Sequence, residues 1–369
     1  MARVSSAGDR LAFLDVARGV AALLVLTHHA AGPFLFGLRP ALPGWLCWAL
    51  VHIDAGRAGV VLFLLVSGFI IPVSLEQGGS NARFWLRRFF RLFPAYWLSI
   101  ALALVYCAGG GRRICDGAGE GVGDWLLNLT MLQHFFRRPD VWGVFWTLQL
   151  ELVIYAACSL LFVLRLLHRT VWVAVLMLAG YAALGLAEPL LEGKPFVIGP
   201  HVLYFAPLAG LLAQRCVAGR IGRRTLAALL LGQALLVPAL WLLSHARFPE
   251  ALTTDCLVDW ACAWGAAYAG FFLLLAARDR PMPAAACRLG RISYSVYLLH
   301  PLVLGLVEWA GWPTWTFLPC VLGGTLLLAE PAYRLVEAPG VALGRALEKR
   351  LLPAVVRPGP ATAAPRRAA

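Results

Sequence analysis

The sequence predicts an all-α, polytopic membrane protein with about ten transmembrane helices and both termini in the cytoplasm. The composition, the recurring long apolar segments and the distribution of positive charge support this fold class. Of the 369 residues, 60% are hydrophobic and 14% are charged, and the mean hydropathy is +0.75. A soluble domain rarely has this composition, whereas apolar runs of about 18 or more residues are typical of helices that span a bilayer.

Ten segments have the length and composition of a membrane span. The chain begins MARVSSAGDR, without a signal-peptide cleavage pattern after a short apolar core, so we interpret the first segment as a retained span. We predict one membrane domain over residues 1–350 and a disordered, Pro/Ala/Arg-rich tail over 351–369. The predicted spans are 11–35, 58–75, 89–109, 141–164, 171–187, 196–213, 225–243, 256–277, 292–311 and 315–336.

The net charge of +13 is compatible with nucleic-acid binding, but its distribution predicts membrane topology instead. If the amino terminus is cytoplasmic, the inner segments contain 23 lysines and arginines and the outer segments contain 8. This excess follows the positive-inside rule. We therefore predict contact with anionic membrane lipid and no nucleic-acid partner.

The chain contains nine cysteines, and their spacing is not that of a metal site. Most lie in predicted spans, where cysteine behaves as a small apolar residue. Cys107 and Cys115 flank a predicted outer loop, so the sequence leaves a disulfide between them open. No metal is predicted.

The first span carries an arginine near its start and a histidine near its far end. Arg18 and His29 are eleven residues apart, so on a helix they lie within about 20° of one face and roughly 16 Å apart along the axis. Ionisable groups at such depth usually line a pathway or a site, and a neutral imidazole suits general-base catalysis. A boundary arginine and a packed histidine explain the pattern equally well. Asp15 is the predicted partner of Arg18, and His28 points about 80° away from His29.

Four arginines cluster at the start of the third span, and several of them share a helix face because they are three or four residues apart. Guanidinium groups in this arrangement suit bidentate phosphate binding, for example of the phosphates of coenzyme A. Positive-inside charge with lipid headgroup contact is the alternative interpretation. The four are Arg83, Arg87, Arg88 and Arg91.

A carboxylate lies inside the apolar fourth span. Glu151 would pair there with a cation or a histidine, or be neutral. It is a candidate to orient His29, as carboxylates steady catalytic imidazoles elsewhere, although an inter-helix hydrogen bond is the simpler alternative. Tyr155 shares its helix face.

The ninth span opens with ISYSVYLLH, which places Tyr294, Tyr297 and His300 within two turns. Tyrosines and a histidine near a membrane boundary are more often part of an aromatic belt than of a site. We keep both interpretations and treat these three residues as candidate supporting positions.

Six segments, met in order along the chain, resemble the motifs of the acyltransferase-3 family of integral-membrane O-acyltransferases. The first span resembles its arginine-ten-histidine motif through Arg18 and His29. GVVLFLLVSGFII is similar to its second-helix signature, RRFFRLFPAYW to its R-x-x-R segment and FWTLQLELVIY to W-[ST]-L-x-x-E-x-x-x-Y. ISYSVYLLH is similar to S-Y-x-x-Y-L-x-H, and YRLVEAP to Y-R-x-x-E-x-P. The resemblance runs from about Arg10 to Leu347.

The resemblance implies a multi-pass protein of the bacterial inner membrane that transfers an acyl group, often acetyl, from cytosolic acyl-coenzyme A. It implies His29 and Glu151 as catalytic residues, and Arg18, Arg88 and Arg91 as the acyl-coenzyme A site. The expected acceptor is a hydroxyl of an extracytoplasmic polysaccharide or lipid-linked glycan. A small molecule such as a macrolide sugar is the alternative acceptor, and no oligomeric state is predicted.

The chain also departs from the family pattern. Val61 stands where many relatives carry an aspartate, and Leu152 stands where a second acidic residue is frequent; no esterase-like domain follows the membrane region. A transporter or flippase is the competing functional class, but it predicts inverted repeats or paired broken helices, and the sequence shows neither. A membrane sensor that binds a ligand without chemistry is the third class.

Overall fold

The computed structural model describes residues 11–38, 43–44, 48, 52–111, 121–196, 198–250 and 254–352. Every regular element in these residues is helical. Short 3₁₀ helices lie at Gln133–Phe136 and Pro200–Tyr204, and a π-helical turn lies at Tyr333–Glu337. The α-helices are α1 (Ala12–Leu38), α2 (Ala55–Gly78), α3 (Asn81–Ala108), α4 (Val122–Asn128), α5 (Trp146–Val163), α6 (Thr170–Leu190), α7 (Phe205–Val217), α8 (Arg223–Arg247), α9 (Thr254–Ala276), α10 (Ala284–Trp309), α11 (Thr314–Ala332) and α12 (Ala338–Leu351).

Nine helical segments of the described chain are long and apolar enough to cross a membrane, which confirms the predicted all-α polytopic fold. The sixth predicted span, 196–213, is instead divided between a 3₁₀ turn and α7, which has 13 residues. A helix of that length covers roughly 20 Å, less than the hydrocarbon core of about 30 Å. The side of the membrane on which the termini lie stays a prediction.

Two predicted spans are parts of longer helices. α3 begins at Asn81, eight residues before the predicted start at 89, so this helix also contains Arg83, Arg87 and Arg88. The last spanning segment runs from Thr316 to Leu351 over 36 residues, well past the predicted end at 336. The predicted tail lies almost wholly in 353–369, outside the described residues, and the boundary of the predicted domain stays a prediction.

Of the two cysteines considered for a disulfide, Cys107 is disulfide-bonded. Cys115 lies outside the described residues.

Glycines allow the helices that carry the site residues to approach closely. A Cβ atom on Gly290 of α10 would lie 1.8 Å from the carbonyl oxygen of Asp15 in α1, and one on Gly68 of α2 would lie 1.9 Å from that of Pro207 in α7. Only a residue without a side chain permits such backbone contacts. α2 therefore lies directly against α7, and α1 lies directly against α10.

The segment between α3 and α5 enters the bundle. Tyr96 donates a hydrogen bond to the Asn128 carbonyl at 2.6 Å, and the Trp142 indole donates one to the Ser99 carbonyl at 3.4 Å. Ser99 lies roughly 14 Å before the end of α3 along its axis. The segment therefore contacts α3 well before the end of that helix, through the Asn128 carbonyl and the Trp142 indole. As a result α5 begins inside the bundle.

A buried ion pair joins three helices at the end of the bundle where α2 ends. Arg215 of α7 is 1% exposed, and its guanidinium binds both carboxylate oxygens of Glu76 in α2, at 2.5 and 2.9 Å. It also donates to Thr170 Oγ1 and to the Leu167 carbonyl, both at 3.2 Å. This arginine therefore holds the start of α6 to α2 and α7.

Replacing Glu76 with alanine is expected to lower the free energy of unfolding by about 2 kcal/mol. Fully buried pairs cost about 3–5 kcal/mol when one partner is removed, but here the guanidinium keeps three neutral hydrogen bonds, to Thr170, Gln214 and Leu167. Thermal unfolding of the purified protein in detergent measures the change. Glu192→Ala is the matched control, because its contact with Lys194 is exposed and such pairs contribute about 0–1 kcal/mol. Equal midpoints for both variants would contradict this expectation.

Candidate active site

One cavity of the bundle collects the arginines that the sequence singled out. We call it the arginine cavity: it encloses about 750 Å³ of empty space, including its open mouth. Three guanidinium groups and one carboxylate give it a positive charge, which suits an anionic ligand. Its walls otherwise consist mainly of apolar side chains of α2. The candidate site residues that line it are Arg18, Arg88, Arg91, Glu151, Tyr294 and Tyr297.

Neighbouring side chains hold two of these arginines in place. Arg18 Nη1 lies 3.6 Å from Asp15 Oδ1, so the predicted ion pair forms. The Arg88 guanidinium lies over the rings of Phe84 and Tyr155, 5.2 and 5.1 Å from their centroids. Such cation–π contacts orient a guanidinium without neutralising its charge, so Arg88 stays available for an anion.

The arginine cluster of α3 divides into two pairs with different surroundings. Arg87 binds both carboxylate oxygens of Glu348 in α12, at 2.5 and 2.6 Å, and Arg83 donates to the Leu352 carbonyl at 2.8 Å. These two side chains fasten the carboxy-terminal helix to α3. Of the four, only Arg88 and Arg91 line the arginine cavity, because the other two side chains are bound to Glu348 and to the Leu352 carbonyl instead.

Glu151 lies in the arginine cavity, where Tyr155 donates a hydrogen bond to its Oε1 at 2.5 Å. The structure does not bring Glu151 to His29, and the orienting contact considered from the sequence does not form. The carboxylate instead lies with the three arginines and a tyrosine. Its charge therefore acts on the anion-binding end of the site.

A second cavity contains His29, and we call it the histidine cavity. It is wider than the first, with about 1050 Å³ of empty space including its mouth. Helices α1, α2, α5, α9 and α10 and the segment before α7 contribute to its walls. The polar and aromatic residues that line it are His28, His29, Asp54, Arg57, Trp146, Thr147, Trp260 and Tyr297.

The backbone of α1 selects the tautomer of His29. The imidazole Nδ1 lies 2.9 Å from the Val25 carbonyl oxygen. A carbonyl oxygen only accepts, so Nδ1 carries the proton and the neutral ring leaves Nε2 without one. This is the nitrogen that a general base needs. His28 has a different contact: its Nδ1 lies 3.5 Å from Oδ1 of Asp54, at the start of α2.

The tyrosines and the histidine of α10 are inside the bundle. Tyr297 is 5% exposed and His300 is 1% exposed, and Tyr294 donates to the Leu92 carbonyl at 3.0 Å. This burial excludes an aromatic belt at the membrane boundary. The His300 ring lies 5.1 Å from that of His29, its Nδ1 donates to the Tyr297 carbonyl at 2.7 Å, and its Nε2 has no hydrogen-bond partner among the described residues.

Sequence reasoning missed two polar residues of this region. Thr147 lines both cavities, and its position in the FWTLQLELVIY segment was the available signal. Glu337, in YRLVEAP, is 3% exposed and accepts a hydrogen bond from Ser295 Oγ at 2.8 Å. A threonine does not stand out in an apolar helix, and Glu337 lies just past the predicted end of the last span at 336. Within the described part of the chain, no group of three or more His, Cys, Asp or Glu side chains is arranged to hold a metal ion.

Comparison with known proteins relates this arrangement to an enzyme class. A family model described as an acyltransferase domain matches residues 11–334. The chain is 27% identical to Nodulation protein 10 of Rhizobium leguminosarum bv. viciae, over 94% of this chain and 97% of that protein. It is 28% identical to Acyltransferase MdmB of Streptomyces mycarofaciens, over 50% of this chain and 47% of that one. It is 27% identical to an O-acetyl transferase of Shigella phage Sf6, over 53% and 58%. No solved structure matches.

Proposed function

Since the chain belongs to this acyltransferase family, we propose that it transfers an acyl group, such as acetyl, from cytosolic acyl-coenzyme A to a hydroxyl of an extracytoplasmic polysaccharide or lipid-linked glycan. One observation carries the proposal. Three arginines line one cavity and a histidine with an unprotonated Nε2 lines another, and the two cavities have wall residues in common. A polyanionic donor and a hydroxyl acceptor thus have separate binding places that meet inside the membrane.

The arginine cavity is the donor site in this proposal. Arg18, Arg88 and Arg91 bind the phosphates of coenzyme A, with the bidentate geometry that guanidinium groups offer to phosphate. Glu151 lowers the net positive charge of the cavity. It also holds Tyr155 through a hydrogen bond, and in this way it positions the cluster of three arginines. The predicted topology places the mouth of the cavity toward the cytosol, where acyl-coenzyme A is made.

The histidine cavity is the acceptor site. His29 Nε2 takes the proton of the acceptor hydroxyl, and the oxygen attacks the thioester carbonyl. A carbon–oxygen bond forms, the carbon–sulfur bond breaks, and the proton leaves with the sulfur as the thiol of coenzyme A. The hydrogen bond from His29 Nδ1 to Val25 keeps the imidazole in the required tautomer through these steps.

Mass spectrometry of surface glycans tests the acceptor assignment. A deletion strain complemented with the wild-type gene is expected to regain an ester-linked acyl group that the uncomplemented strain lacks. Identical glycans in both strains would contradict a surface-glycan acceptor and would favour the small-molecule alternative.

Release of coenzyme A by the purified protein separates the enzyme from a transporter. The wild-type protein is expected to liberate thiol from acetyl-coenzyme A, slowly with water as acceptor and faster with the acceptor present. A transporter moves its substrate intact and liberates no thiol. Absence of thiol release in both conditions would contradict the proposed reaction.

A further inference from the structure

The two cavities have three lining residues in common, and these residues form a barrier between the donor and the acceptor. They are Val60 of α2, Thr147 of α5 and Tyr297 of α10. Val60 is 8% exposed and Tyr297 is 5% exposed, so the barrier is closely packed. Among the described residues, these side chains lie between the arginine cavity, where a thioester would bind through its phosphates, and His29.

Hydrogen bonds fasten the barrier to the start of α5. The Tyr297 hydroxyl lies 2.5 Å from Thr147 Oγ1 and donates to the Val144 carbonyl at 2.7 Å. The Thr147 hydroxyl is also 3.1 Å from this carbonyl. The Phe63 ring packs edge-on against Tyr297, with 6.0 Å between the ring centroids. With the Tyr297 proton on Val144, the Thr147 hydroxyl donates to Tyr297, so moving the tyrosine aside breaks two hydrogen bonds and an aromatic contact.

The direction of donor entry turns this barrier into a size filter. The phosphates stay with the arginines, so the acyl end of the donor leads into the barrier, and the thioester carbonyl follows it. Every carbon atom beyond the carbonyl must pass between the Val60 methyl groups and the tyrosine ring. It then occupies the histidine cavity, where the acceptor hydroxyl has to lie. Short acyl groups pass the barrier and leave room for the acceptor hydroxyl, whereas long acyl groups do neither.

We propose that Thr147 and Tyr297 are positioning residues whose hydrogen bond closes the passage between the two cavities and restricts the donor to short acyl chains. This inference rests on the proposed function, since it needs an acyl-coenzyme A donor. It assigns a role in that function to Thr147 and Tyr297, and it limits the length of the acyl chain that the donor can carry.

Thiol release by the purified protein from acetyl-, butyryl- and octanoyl-coenzyme A tests the inference, with water as acceptor and His29→Ala as the baseline. The wild-type protein is expected to use acetyl-coenzyme A at least about tenfold better than octanoyl-coenzyme A, as kcat/KM. Thr147→Val and Tyr297→Phe each remove a hydroxyl with little change in volume. Each is expected to raise the octanoyl-to-acetyl ratio about threefold or more.

Thr147→Ser is the conservative variant, because it keeps the hydroxyl and is expected to keep the wild-type ratio. If these residues had a merely structural role, their replacement would lower kcat/KM for all three donors by the same factor. The octanoyl-to-acetyl ratio would then stay unchanged. An unchanged ratio in both Thr147→Val and Tyr297→Phe, or equal use of all three donors by the wild type, would therefore overturn the inference alone. Thiol release no higher than the His29→Ala baseline from every donor, both with water and with the acceptor present, would overturn the proposed function, and this inference with it.

Discussion

The His29→Ala variant is expected to transfer acyl groups about 10²–10⁴-fold more slowly than the wild type, the range that general-base catalysis contributes. Without the imidazole nothing takes the proton of the acceptor hydroxyl, and a neutral hydroxyl is a poor nucleophile. His29 lines the histidine cavity, and its hydrogen bond joins residues of a single helix, so its loss should leave the fold intact. The measurement is kcat for acyl transfer from acetyl-coenzyme A at equal protein concentration.

His28→Ala is the matched control for this variant. His28 is the adjacent residue and lines the same cavity, but its Nδ1 lies near Asp54 and it has no role in the proposed proton transfer. We expect its kcat to stay within about threefold of the wild type, the size of a minor surface change. If His28→Ala were inactive and His29→Ala active, the base would be assigned to the wrong histidine.

Replacing both Arg88 and Arg91 with alanine is expected to lower kcat/KM for acetyl-coenzyme A by about 10²-fold or more, mainly through KM. Each charge-assisted hydrogen bond to a phosphate contributes about 1.5–3 kcal/mol. The phosphates are far from the reacting carbonyl, so losing these bonds weakens donor binding and raises KM more than it lowers kcat. The single variants should each show a smaller part of this effect. Steady-state kinetics over a range of acetyl-coenzyme A concentrations separates KM from kcat.

Arg87→Ala provides the comparison within the same cluster. Its guanidinium binds Glu348 and does not line the arginine cavity, so we expect KM for the donor to stay near the wild-type value. A small loss of thermal stability is expected instead, because the contact between α3 and α12 is weakened. A rise in KM equal to that of Arg88→Ala would show that the cluster acts through its overall positive charge and not through specific contacts.

The sequence predicted the class of structure and the kind of chemistry because both depend on local composition. Long apolar segments identify membrane helices wherever they pack, and a charged group inside such a segment is costly enough to mark a site. Arg18, His29, Arg91 and Glu151 were all found in this way. The segment at 196–213 shows the limit, since its apolar composition suits a span although the chain forms a 3₁₀ turn and a helix of 13 residues there.

The sequence by itself determined that this protein is a bundle of membrane helices and which side chains are candidates for a site. Helical periodicity also placed Arg18 and His29 on one wall of α1. Only the tertiary structure decided that they line different cavities, that Glu151 joins the arginines, and that Tyr297 stands between the two cavities. The height and rotation of one helix against another depend on backbone contacts such as that between Gly290 and Asp15. Such contacts join residues far apart in the chain, so no local pattern contains them.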